Sequence, residues 1–325
     1  MDAMLAAYRM AVEHLQDAGS SDPFARDVLF PHKEWRRLLE RIDRRPAAQE
    51  SEAVRAFFAT LAETLYPAAK GSAENAEPVL QTMRAAGDDL RAHAPDGLLP
   101  TLSIDMLPPE SAWKLQWELA QAQDTMVALE HASVLQGFRE DPHAVAWEIG
   151  AGFGLFACLF KTVFPRARYL ISDTAPQLLA IETLIRSTFP DAAVVYRPAS
   201  PAGEPPEGGT ASAADFVLVP LPALPAEADG PLEAVVGSNG LAELPCETVD
   251  RLVSAAHSQG ARYFHVATSS MRSPRSLCDE VLAVVGRHYW PRVIPTQNQV
   301  GQKAAEEGGC ILYTHTIGWR RLATS

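Results

Sequence analysis

An apolar run, Val145-Ala-Trp-Glu-Ile149, breaks into Gly150-Ala151-Gly152-Phe153-Gly154 and resumes as Leu155-Phe-Ala-Cys-Leu-Phe160. Glycines gathered at such a junction permit backbone angles closed to other residues and let a ligand approach the main chain. Two families of ligand use a turn of this kind. The dinucleotide version needs Gly-x-Gly-x-x-Gly, with a pyrophosphate on the N–H groups that open the helix. Here Leu155 stands where the third glycine would be, and the spacing is Gly-x-Gly-x-Gly with Glu148 two residues ahead. The next apolar run, Tyr169-Leu-Ile-Ser-Asp173, ends in a carboxylate 19 residues beyond Gly154. A carboxylate there can accept hydrogen bonds from both hydroxyls of a ribose. It can also cap a helix beginning near Pro176. Either version of the turn uses this acid, so it points to an adenosine-type ligand without choosing between the two. A purely structural strand–turn–helix is the alternative.

The elements that must position these residues change in texture along the chain. The first ~140 residues read as helices and loops. Val54, Phe57, Phe58, Leu61 and Leu65 form a helical stripe that stops at Pro67. Pro108-Pro109 introduces the clearest helix of this half, with Ser111 as its cap and a stripe of Leu115, Leu119, Ala122, Met126 and Leu129. Trp113, Trp117 and Ala120 lie beside that stripe, which is a core or dimer-packing face or, alternatively, part of a substrate pocket. After residue 144, short apolar runs alternate with amphipathic stretches. Strands are expected at 145–149, 168–172, 216–219, 232–236 and 262–267, with a short one possible at 192–196 and a closing antiparallel pair at 292–294 and 310–316. Helices are expected at 155–164, 176–189, 245–258 and 273–287. Such alternation implies a parallel, doubly wound α/β sheet that binds ligands at the carboxyl ends of its strands.

A chain of 325 residues with 47% hydrophobic and 21% charged residues has the composition of a globular protein with a sizeable core. The net charge of −12 argues against nucleic acid and against an anionic membrane surface as partners. The basic stretch from Lys33 to Arg45 contains its own acids, Glu34, Glu40 and Asp43, and reads as a solvated helix face. No stretch approaches the ~18 uninterrupted apolar residues of a spanning helix. The start, Met1-Asp-Ala-Met-Leu, lacks the features of a signal peptide, so a cytoplasmic location is expected. The four cysteines, Cys158, Cys246, Cys278 and Cys310, are widely spaced, and reduced thiols are the expectation.

The turn from Glu148 to Gly154 resembles the first motif of class I S-adenosylmethionine (SAM)-dependent methyltransferases, acidic-x-Gly-x-Gly-x-Gly. The resemblance implies a seven-stranded Rossmann-like methyltransferase sheet over residues 141–325, preceded by a helical N-terminal segment, 1–140, that serves as acceptor lid or dimerisation element. It also implies SAM as cofactor. Gly150 and Ala151 would contact its amino-acid end, Gly152 and Gly154 would allow the close approach, Glu148 would order the loop, and Asp173 would hold the ribose. In the methyltransferase pattern the loop after strand three borders the adenine. Val219, Pro220 and Leu221 would form that wall if Phe216-Val-Leu-Val is strand three; Arg197 to Ser200 would do so if the run at 192–196 is. Together with Val236-Gly-Ser-Asn-Gly-Leu-Ala-Glu-Leu-Pro, these segments look like the sugar O-methyltransferase subgroup, which has a strand ending in Asn-Ser followed by Glu-Met-Pro. Here Ser238-Asn239 stands in reversed order and Glu243-Leu244-Pro245 takes the second place. Ser238 is accordingly a further cofactor contact. The likeness covers roughly residues 145–270.

Methyl transfer to a hydroxyl is an in-line displacement at a sulfonium, and the acceptor's proton must be removed. Glu243, just after the fourth main strand, is a candidate base, though it could equally cap the helix at Pro245. Asn239 can orient SAM or acceptor. His265, within strand five, is a candidate base or a hydrogen-bonded structural histidine. His315 is a weaker candidate, and His257 falls on a solvated helix face. A divalent metal could assist a sugar methyltransferase, but no compact Asp/Asp/Asn run supports one. The leading expectation is an O-methyltransferase of a sugar or glycosylated small-molecule metabolite, with the N-terminal helices as a candidate homodimer interface. The alternatives are methylation of a phenol or polyketide, a non-catalytic SAM-binding scaffold, and an NAD-dependent oxidoreductase, which Leu155 disfavours.

Overall fold

In the computed structural model of the chain, the described residues are 5–13, 52, 54–59, 61, 112–197, 214–221, 231–237, 239–269, 278, 280–295 and 313–321. Residues 5–13, 52, 54–59 and 61 are helical. The elements that follow are α1 (Ala112–His131), α2 (Val134–Glu140), β1 (Val145–Ile149), α3 (Leu155–Val163), β2 (Arg168–Asp173), α4 (Ala175–Thr188) and β3 (Val194–Tyr196). Then come β4 (Phe216–Pro220), β5 (Leu232–Gly237), a 3₁₀ turn (Asn239–Glu243), α5 (Cys246–Ser258), β6 (Tyr263–Ser269), α6 (Val281–His288), β7 (Tyr289–Ile294) and β8 (Tyr313–Arg320).

β1, β4 and β5 are buried at every position, and β2 from its second residue on. Strands covered on both faces are mostly apolar, which is why they read as near-continuous runs rather than alternating ones. Successive side chains still divide between the faces. Ala146, Ile171, Leu218 and Val236 join a core with α1 to α4. Trp147, Leu170, Val217 and Val235 join a second core with α5 and α6. An aromatic group, Phe138, Phe156, Phe160, Phe164 and Tyr169, fills the first core with ring centroids 4.9–6.4 Å apart.

The sheet runs β3-β4-β2-β1-β5-β6-β8-β7. The first six strands pair in parallel, and β8 is antiparallel to both β6 and β7. This is the doubly wound, Rossmann-like α/β sheet expected from the sequence. The count is eight rather than seven, because the run Val194–Tyr196 joins the edge beside β4. Strand order reverses between β1 and β5, which places the switch point at Gly150 and Gly237.

The stripe on α1 packs into the first core: Leu115, Ala122, Met126 and Leu129 are buried there, with Leu119 packed against it. Tyr8, Ala11, Val12, Val54, Phe57, Phe58 and Leu61 join the same core. Ser111, Leu65, the basic stretch from Lys33 to Arg45 and the side chains of Trp113, Trp117 and Ala120 lie outside the described residues. Three boundaries differ from expectation, the first being β8, which runs on to Arg320 rather than ending at Thr316. The described part of the helix expected at 273–287 begins at Val281, preceded by Glu280 with non-helical angles. β7 starts at Tyr289, earlier than expected, because α6 ends at His288 and the backbone turns extended at once. Among the described residues no helix is long and apolar enough to cross a membrane.

The expectation of reduced thiols is overturned at two of the four cysteines. Cys246, at the start of α5, and Cys278 form a disulfide with Cα atoms 4.7 Å apart, while Cys158 is free and buried. Spacing alone could not reveal the pair, because the two residues lie 32 positions apart and meet only when the 3₁₀ turn, through Ala242 O, accepts a hydrogen bond from Cys278 N–H. Thiol titration of the denatured, unreduced chain should therefore detect no more than two of its four cysteines. Cys246→Ser should lower unfolding stability by about 3–4 kcal/mol, as closure of a loop of this length implies.

Candidate functional site

β1 ends at the switch point, and the chain must turn at once to enter α3. Gly150, Gly152 and Gly154 make that turn with φ values of 76°, 60° and 84°, a region that disfavours any residue with a Cβ. Space is short as well. A Cβ on Gly152 would lie 3.1 Å from Glu118 Oε2, and one on Gly154 would lie 3.0 Å from Ile181 Cγ2. On the other side of the crevice a Cβ on Gly240 would lie 3.3 Å from Gly150 Cα, so the 3₁₀ turn closes directly over the glycine turn.

Carboxylates from three elements converge on this turn. Glu118 of α1 accepts the Phe153 N–H at 2.8 Å. Asp173, at the end of β2, accepts the Thr174 N–H at 2.7 Å and is also hydrogen-bonded by the N–H groups of Ala151 and Gly152. Glu148, on β1, accepts the Tyr169 hydroxyl at 2.9 Å. All three acids are buried. Burial pushes the Glu148 carboxyl up to about 8, against a lowering by the Tyr169 hydrogen bond, with Glu118 and Asp173 raising it further. Burial likewise pushes Asp173 up to about 7, against its backbone hydrogen bonds, with Glu243 adding to the rise.

The residues singled out from the sequence fall into three groups. Glu148, Gly150, Ala151, Gly152, Gly154 and Asp173 are brought together in the turn. Val219 and Pro220 end β4 beside Ser172 and Asp173, and the Leu221 N–H donates to Asp173 O at 2.9 Å. Of the two candidates for strand three, β4 is thus the one adjacent to β2 and Asp173, with β3 one strand further out. Arg197 N–H donates to Leu218 O, and residues 198–200 lie outside the described residues. Ser238 also lies outside them, as does the side chain of Asn239, whose backbone opens the 3₁₀ turn. Glu243 closes that turn, half-buried. The N-cap position of α5 is held by Pro245, two residues beyond Glu243. His265 is buried in β6 and meets His315 there. His257 is half-buried against His288 and Tyr289 rather than on a solvated face.

Glu118 was missed. Its one local signal is an acid at the i+3 position of the Leu115 stripe, where a core-facing helix should carry an apolar residue. Asp124 carried no such signal. Among the described residues no group of three or more His, Cys, Asp and Glu is arranged to hold a metal ion.

The raised acids fix a sign for the pH dependence. The native state holds protons on Asp173 and Glu148 up to about 7 and about 8, whereas the unfolded chain releases them near 3.8 and 4.5. Between those limits the unfolded state binds fewer protons, so stability falls as pH rises. The unliganded chain should therefore melt several degrees lower at pH 8 than at pH 5, and Glu148→Gln should flatten that slope in a thermal-denaturation series.

No protein-family model matches the chain, and no curated protein does. Solved structures do. A TehB-like SAM-dependent methyltransferase from Corynebacterium glutamicum is 12% identical, over 59% of this chain and 87% of that one, with a TM-score of 0.38. The N-methyltransferase NodS from Bradyrhizobium japonicum, in complex with S-adenosyl-L-homocysteine, is 11% identical over 59% and 86%, with a TM-score of 0.35. An O-methyltransferase family protein from Burkholderia thailandensis is 11% identical over 66% and 62%, with a TM-score of 0.38. At such identity and TM-score, what those proteins bind or methylate carries no weight for this chain, whose chemistry rests on its own residues.

Proposed function

We propose that the chain is a SAM-dependent methyltransferase that acts on a hydroxyl of a small-molecule acceptor, a sugar or glycosylated metabolite. The observation that carries the cofactor is the occupation of the turn's N–H groups. In a dinucleotide fold those groups, at the start of the helix, cradle a pyrophosphate. Here Ala151 and Gly152 already donate to Asp173, and Phe153 to Glu118. An entering pyrophosphate would lose its donors and oppose any ionisation of the three buried acids around the turn. A ligand bearing a sulfonium and an ammonium meets the opposite situation, because Glu118, Glu148 and Asp173 attract it.

The residues present fit that cofactor. With three N–H groups already donating to it, Asp173 keeps about one lone-pair site for a ribose hydroxyl, and Val219, Pro220 and Leu221 are the proposed apolar wall at the end of the adjacent strand. Gly150 and Ala151 give the close main-chain approach. When bound, the cofactor supplies a methyl group on a positively charged sulfur. The chain's own task is then to align an acceptor oxygen with that methyl and to take the oxygen's proton. Glu243 and His265 are the proposed bases, and Asn239, at the mouth of the switch point, the proposed orienting group. The sugar acceptor rests on the likeness of Ser238-Asn239 and Glu243-Leu244-Pro245 to the sugar O-methyltransferase pattern.

Calorimetric titration separates the cofactors. SAM should bind and NAD should not, and Asp173→Ala should weaken SAM by roughly ten- to a hundredfold, the scale of one or two charge-assisted hydrogen bonds. Binding of NAD without SAM would refute the cofactor reading. With glycosides, free sugars and phenols offered in turn, release of S-adenosylhomocysteine should depend on the sugar-bearing acceptors. Turnover restricted to phenols would overturn the acceptor class.

A further inference from the structure

Three ionisable side chains far apart in sequence form a continuous buried chain on the sheet face covered by α1. His315 Nε2, on β8, lies 2.5 Å from Asp124 Oδ2, on α1. His315 Nδ1 lies 2.9 Å from His265 Nε2, on β6, and the two rings stack with centroids 5.2 Å apart. Asp124, His315 and His265 are 1%, 2% and 1% exposed. The far nitrogen, His265 Nδ1, is buried and has no hydrogen-bond partner among the described residues. A buried polar atom left unpaired is costly, and in a folded chain it calls for an explanation.

The position of that nitrogen suggests one. Sheet register places Glu148, Val236, His265 and Ile317 in one row across β1, β5, β6 and β8. Partners in such a row point to the same face, and Val236 and Ile317 belong to the first core. His265 therefore stands level with Glu148 on the same face, about 10 Å away at two strand spacings. The cofactor and acceptor proposed above, at the switch point where β1 ends, would lie on this same side of the sheet.

We propose that Asp124 and His315 are positioning residues that set His265 as the proton acceptor of the methyl-transfer reaction; this rests on the reading of the site given above. The direction follows from donor and acceptor chemistry. A carboxylate only accepts, so His315 Nε2 carries hydrogen. A neutral His315 then has a bare Nδ1, which accepts the Nε2–H of His265. His265 is left with a bare Nδ1, a lone pair facing outward from the chain. When the acceptor oxygen bonds to the methyl carbon and the carbon–sulfur bond breaks, the acceptor's proton passes to His265 Nδ1. The Nε2 proton of His265 moves in turn to His315 Nδ1, which places the imidazolium charge against Asp124. Burial and the neighbouring His315 hold His265 well below the usual histidine range, so that it starts neutral. The arrangement has the logic of a carboxylate-oriented histidine, extended by one ring.

Nitrogen-15 NMR of the histidine-labelled full chain, with His265 assigned by its loss in His265→Gln, reads the tautomer without any acceptor. The expected state is protonated Nε2 and bare Nδ1. A protonated Nδ1 would overturn the proposal. With SAM and a hydroxylated acceptor that turns over, Asp124→Asn should lower kcat at least about tenfold, with calorimetric SAM affinity unchanged. His315→Gln, whose carbonyl can still accept from His265, should retain more activity than His315→Leu. Full kcat in Asp124→Asn with SAM bound would refute the relay alone. Absence of SAM binding in the wild-type chain would refute the site reading instead.

Discussion

The glycine turn between β1 and α3 is sterically possible because three of its residues lack a Cβ. While the Gly150 and Gly154 amides donate to backbone carbonyls, those of Ala151, Gly152 and Phe153 find carboxylates. Those carboxylates come from α1 and from the end of β2, with Glu148 of β1 beside them, so the turn ties three elements to one point. Everything near it follows. β2 must run parallel to β1 so that Asp173 reaches the Ala151 and Gly152 amides, and α1 must cross this face so that Glu118 reaches Phe153. The 3₁₀ turn can close over Gly150 only because Gly240 also lacks a Cβ.

The same constraint creates the electrostatics. Three acids that would each repel the others in water are held together by backbone N–H groups and the Tyr169 hydroxyl, and burial keeps two of them protonated into the neutral range. Such an arrangement costs stability while the site holds no cation. A cationic ligand reverses that balance, because it favours the ionised carboxylates that the unliganded chain disfavours. Ligand preference and pH dependence are therefore two expressions of one feature.

Local features of this fold were legible in the sequence and long-range ones were not. The strand at Val145–Ile149, the turn after it and Asp173 lie in a stretch of some thirty residues, where apolar runs and glycines have a direct geometric meaning. The doubly wound sheet followed from the alternation of those runs. The eighth strand was uncertain because Val194–Tyr196 has only three residues, and its place beside β4 is decided by pairing. Glu118 acts on the turn 35 residues away, Cys246 and Cys278 meet across 32, and His315 meets Asp124 across 191. None of those contacts leaves a spacing to read. His265 and His315 were each visible as isolated histidines, and only the antiparallel pairing of β6 with β8 joins them.

The central claim is that the acid-lined turn takes a cationic adenosine cofactor, and proton linkage tests it most directly. SAM titrated into the chain near pH 7, in two buffers of different ionisation enthalpy, reports the protons exchanged on binding. A cation placed against Glu148 and Asp173 lowers their affinity for protons, so binding should release protons, and affinity should rise as the pH is raised from 6 to 8. Proton uptake, or an affinity that does not change with pH, would contradict the account.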